Sequence, residues 1–139
     1  MAFSFPGNKS GLGLLFMRMG VAVFLIFHSV TRLAGSESMW KGVGKTIDAI
    51  DTGLETSTMG LIILVVELIG GASIVSGYLF RVGSVLMAVV FGLYTYFYYF
   101  VAGHTILPLY SFGFVMLCLG FAFTGPGAYI ISFTSTGKS

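Results

Sequence analysis

Residues 12–33 read LGLLFMRMGVAVFLIFHSVTRL. The run is long enough to cross a bilayer, which takes roughly 20 apolar residues. Yet it carries Arg18, His28 and Arg32 among aliphatic side chains. With Val21 and Leu25 between them, these residues recur at alternating steps of three and four, one stripe of a helix. A charge near mid-bilayer costs about 2.5–3.5 kcal/mol, so the stripe should face protein or water and not lipid.

The rest of the composition agrees with a membrane chain. Of 139 residues, 56% are hydrophobic and 9% are charged, whereas soluble domains carry about a quarter charged residues. A net charge of +2 is too small for a nucleic-acid binder. Cys118 is the single cysteine, which excludes an internal disulfide and a C-x-x-C thiol relay. It reads as packing. The apolar run after Lys9 is longer than a signal-peptide core and lacks a small-x-small cleavage site, so it reads as retained.

Four stretches are predicted to span: 12–33, 59–79, 82–102 and 106–123. Their short links make antiparallel neighbours, giving an all-α, up-down four-helix membrane bundle in one domain over 1–139. Residues 34–58 are too polar to cross. Within them Met39, Val43, Ile47, Ile50 and Leu54 recur at helical spacing between charged residues. That pattern predicts an amphipathic interfacial helix over about 38–55, anchored by Trp40. Pro108 suits the first turn of the last span, and Gly125-Pro126-Gly127 ends it. The tail 128–133 reads as resting at the surface. Basic residues at the span ends bias both termini toward the cytoplasm.

Helix rise fixes the depth of the polar groups. Arg18 lies about 9 Å above the terminal side, His28 about 24 Å and Glu67 about 18 Å. Glu67 is therefore nearest His28 in height, with Arg18 beneath and Arg32 and His104 at the far mouth. Gly70, Gly71 and Ile74 share the face of Glu67, so another helix approaches there and the carboxylate points inward. A carboxylate so placed requires a partner or a proton. Tyr94 and Tyr98, with Phe91, share a face of the aromatic third span and suit a flat ring. The rest of that aromatic run reads as an interfacial belt. The cluster reads in two ways: a site that binds a polar headgroup and moves protons, or an ion pair that fixes helix register.

The chain resembles the DoxX-like membrane proteins. Arg18 followed by His28-Ser29-Val30-Thr31-Arg32 is similar to their first span, with Ser29 where the pattern has glycine and Arg32 where it has lysine. Glu67-Leu68-Ile69-Gly70-Gly71 is similar to their Glu-Leu-x-Gly-Gly. Gly77-Tyr78-Leu79-Phe80-Arg81 and Gly125-Pro126-Gly127-Ala128-Tyr129 match two further turns, with Phe80, Ala128 and Ser132 departing from the pattern. The resemblance implies a bacterial inner-membrane protein that works with other subunits, as in thiosulfate:quinone oxidoreductase. On that reading a quinone docks in the cluster, and no cofactor is bound covalently. Glu67 and His28 would handle the proton, while Arg18, Arg32, His104, Tyr94 and Tyr98 would bind the ligand. The alternatives are a non-enzymatic scaffold subunit, a lipid or solute binder, and haem ligation by His28 and His104. No metal-ligand pattern is present.

Overall fold

The computed structural model describes residues 9–127, with side-chain surroundings from residue 11 onward. The expected surface tail, the Ala128-Tyr129 half of the terminal motif and the first eight residues lie outside the described residues. So do Ser132 and Lys138. All regular structure among the described residues is helical: α1 Lys9–Leu33, α2 Glu37–Gly44, α3 Thr56–Ser76, α4 Phe80–Tyr96 and α5 Leu107–Thr124. A 3-10 turn, Lys45–Ile47, follows α2, and a π turn, Phe97–Val101, continues α4.

Four segments are long and apolar enough to cross a membrane: Gly11–Leu33, Thr56–Ser76, Phe80–Val101 and Leu107–Thr124. They agree with the expected spans to within three residues at each end. Their outer faces carry rows of exposed apolar side chains, including Phe16, Val23, Phe27 and Val30 on α1 and Val82, Val85 and Val89 on α4. A soluble surface does not hold such rows; a bilayer accepts them. Stop signals are local. Gly77, at φ 79°, caps α3 by donating to Ser73 O at 3.0 Å. The left-handed backbone there is one that glycine adopts without strain.

The helices form an arc: α1 packs on α3, α3 on α4 and α4 on α5. No Cα pair joins α1 to α5 within 8 Å. The Gly70-Gly71 pair explains how α3 is gripped from both flanks. A Cβ on Gly71 would meet Leu25 and Ile26 of α1, and one on Gly70 would meet Met87 of α4 at 2.7 Å. Removing those methyl groups lets both neighbours close in.

The helix expected over 38–55 is shorter. It is helical through Gly44 and 3-10 through Ile47, then irregular to Glu55. Asp51 Oδ1 accepts the Gly53 N–H at 3.2 Å, and Gly53 has φ +67°; this Asx-type turn competes with helix. Val43 and Ile47 are buried, whereas Met39, Ile50 and Leu54 are exposed. The segment packs across the start of α3, where Gly44 and Gly60 leave no room for a Cβ between the two backbones. Trp40 is half-buried and donates from Nε1 to Arg32 O at 3.0 Å.

Candidate functional site

Glu67 is 0% exposed, in the middle of α3. Gly70 and Gly71, one turn on, bring α1 and α4 close enough to reach it. Its Oε2 lies 2.8 Å from His28 Nδ1 and 3.2 Å from Ser29 Oγ. Its Oε1 accepts the Tyr94 hydroxyl. Three donors from two flanking helices thus converge on one carboxylate, and no described buried side-chain N or O lacks a partner. A carboxyl group so placed replaces its lost hydration with protein hydrogen bonds. Ser29 has a second acceptor, Leu25 O at 2.8 Å. Because Nδ1 of His28 is taken by Glu67, Nε2 is the nitrogen left for a ligand.

Beside this network is a cavity of 260 Å³ between α1, α4 and α5. Phe24 and His28 come from α1, and Phe91, Tyr94 and Tyr98 from α4 and the π turn. Leu107, Tyr110, Ser111 and Phe114 come from α5. Phe114 stacks on Phe91 and meets Phe24, with ring centroids at 4.8 Å in both cases. Phe24 also stacks on His28 at 5.9 Å. The volume suits one or two fused rings. The walls supply ring faces, and the imidazole and hydroxyls supply polar contacts.

The expected site residues fall into three groups. Glu67, His28 and Tyr94 are joined directly, and Tyr98 stands next to Tyr94 with ring centroids 6.4 Å apart. Arg32 and His104 are at the mouth. Arg32 is half-buried, one turn beyond His28, and has no carboxylate within 4 Å among the described residues. His104 is exposed, donates its backbone N–H to Tyr98 O at 2.8 Å and sets its ring edge-on to Tyr98. Neither joins Glu67. Haem ligation gains no geometric support, since His28 is turned to Glu67 and His104 to Tyr98.

Arg18, expected to bind a ligand or to serve a structural or lipid-phosphate role, stands apart from this cluster. It is 1% exposed and donates from Nε to Ile74 O and from Nη2 to Val75 O, both at 2.9 Å. Nη1 donates to Pro126 O at 2.7 Å. The guanidinium lies 5.1 Å from the Phe80 ring centroid. It is thus a cap on the end of α3, where free carbonyls and the helix dipole favour a cation. Cys118 is buried and unpaired with sulfur, as packing requires. Among the described residues no group of three His, Cys, Asp or Glu side chains is placed to hold a metal.

Ser29 was not singled out beforehand. The one signal available was that it replaces the glycine of the resembling pattern next to His28. The α5 wall of the cavity also went unread, because Tyr110 and Ser111 sit in an ordinary apolar span.

Four apolar spans around a buried acid–imidazole–phenol network define a polytopic helical membrane protein with an internal polar site. The DoxX family model matches residues 13–104. The chain belongs to the DoxX family. The match ends before α5, so the terminal Gly-Pro-Gly turn and the α5 wall of the cavity lie outside it. No curated protein and no solved structure matches the chain.

Proposed function

We propose that this protein is a subunit of a membrane oxidoreductase complex that docks a quinone, or a similar ring compound with a polar head, in the aromatic cavity. One observation carries the reading: the 260 Å³ cavity is walled by aromatic rings and shares His28 and Tyr94 with the Glu67 network. His28 is placed to exchange a proton or hydrogen bond with a ligand oxygen through Nε2, with Glu67 holding the imidazole and its charge. Tyr98 and Ser111 offer further hydroxyls. Electrons come from a partner subunit or from the substrate. Quinone binding by the detergent-purified protein tests the reading. His28→Ala should weaken it about tenfold or more while the fold survives, since loss of a hydrogen bond to a ligand is worth about 1.5 kcal/mol. Full binding and full quinone-dependent turnover in that variant would refute it.

The second reading is a non-enzymatic scaffold or lipid-binding subunit. It is favoured by Arg18, which ties α1 to the end of α3 and to the turn after α5. On this reading the Glu67 and His28 variants lose folded protein or assembly, and turnover per folded molecule is unchanged. We place the protein in the bacterial inner membrane with both termini in the cytoplasm. The support is the basic residues that the sequence assigns to that side, Lys9, Arg81 and Lys138 with Arg18 toward it, against Arg32, Lys41 and Lys45 on the other.

A further inference from the structure

A second cavity lies on the same seam. It measures 640 Å³ and is lined by Leu14 and Met17 of α1, Met116, Leu117 and Phe121 of α5, and glycines of both helices. No charged side chain is among its described lining, and Thr124 supplies the only hydroxyl there. The ring cavity uses α1 at 24–28 and α5 at 107–114. The second cavity uses α1 at 11–17 and α5 at 116–124. Together they run the length of the gap between α1 and α5, about 25 Å by helix rise. What separates them is the Phe24–Phe114 ring contact.

The gap has a sequence cause. Gly13 and Gly20 on α1, and Gly113 and Gly120 on α5, each recur at seven residues and so keep to one stripe. A Cβ on any of the four would meet nothing within 4 Å. Glycines in a membrane helix ordinarily let a neighbour approach. Here the two backbones stay apart, and Gly13 and Gly120 line the slot that their absent side chains leave. The upper cavity is open along the same seam, where Phe24 is 46% and Tyr110 71% exposed.

We propose that this lower slot holds the apolar tail of the ligand whose ring occupies the upper cavity, so that the site takes a lipid-tailed ring compound from the bilayer. The inference rests on the ring-docking reading above and adds the tail. Continuity carries it: an apolar slot of matching direction begins where the polar, aromatic cavity ends. The tail passes the outer edge of Phe24 and runs down between Met17 and Met116. A slot filled by a second copy or by an ordinary lipid would leave the ring site indifferent to tails.

The test uses dimethoxy-methyl-para-benzoquinone with and without a decyl tail. Equilibrium binding is measured to the full chain in nanodiscs and corrected with empty nanodiscs. Wild type should bind the tailed probe more tightly than the tailless one. Gly120→Leu and Gly13→Leu fill the slot from opposite walls, and open space at both positions favours folding, checked by circular dichroism melts. Each should weaken the tailed probe roughly tenfold, the penalty of an overfilled site, and leave the tailless probe unchanged within about twofold. If the wild type binds both probes equally, or the glycine variants weaken both alike or neither, the tail assignment is overturned and the ring site stands. If the wild type binds neither probe, the ring site falls and the tail assignment with it.

Discussion

Replacing Glu67 by glutamine with its oxygen kept for Tyr94 sets an amide N–H against His28 Nδ1 and Ser29 Oγ. The imidazole must then move its hydrogen to the other nitrogen. The variant should fold with a loss of about 1–3 kcal/mol, whereas Glu67→Leu, which strands the Tyr94 hydroxyl, should lose more. Thermal unfolding in detergent orders the two. Arg18→Lys replaces a fork serving three carbonyls with one compact ammonium, and should cost about 3 kcal/mol by the same measurement. An unchanged melting temperature would remove the cap assigned to Arg18. The Glu67–His28 pairing was legible because helix rise alone sets both heights. The target of Arg18 was not: a height says nothing about rotation around the bundle, and its acceptors are backbone carbonyls, which every residue has. Tyr94 was read as stacking on or donating to a ligand, and its hydroxyl finds Glu67 only once α3 and α4 are docked. Arg32 and His104 were expected in one polar cluster with Glu67, and neither bonds to that carboxylate.

The α2 segment shows how far periodicity reaches. Its apolar spacing continues through Leu54, but the Asp51–Gly53 turn ends the regular structure earlier, and the local hydrogen bond outweighs the pattern. Its seat on α3 depends on Gly60, where a Cβ would fall into the Trp40 carbonyl. Gly60→Ala should therefore displace α2. Trp40 is the sole tryptophan, so its emission should shift to the red; an unshifted spectrum would show that the two backbones have slack. The π turn at the end of α4 carries Tyr98 and could not be anticipated from composition, since a one-residue change in hydrogen-bond register leaves the hydropathy unaltered.

Because the bundle is an arc, its ends are held unequally. α3 is packed by α1, α2 and α4, while α5 has α4 and the π turn beside it and meets α1 through the Phe24 and Phe114 rings. Amide hydrogen exchange should be slowest in α3 and faster in α5, as local opening follows the loss of packed neighbours; equal protection would argue for a further partner on α5. Alkaline phosphatase fused at the carboxyl end should be inactive, and fused in the loop after α2 active, if the termini are cytoplasmic. The spans and their alternation were readable because hydrophobic length is a one-dimensional signal. The wide separation of the α1 and α5 backbones was not, since an up-down order permits a closed ring as readily as an open one. The bond from Arg18 to Pro126 has a mechanical meaning for that openness. It pins the first helix to the turn after the last one near the terminal face, and no described hydrogen bond pins them at the opposite end. The pair should hinge like tongs about the guanidinium, the jaws parting widest beside Tyr110.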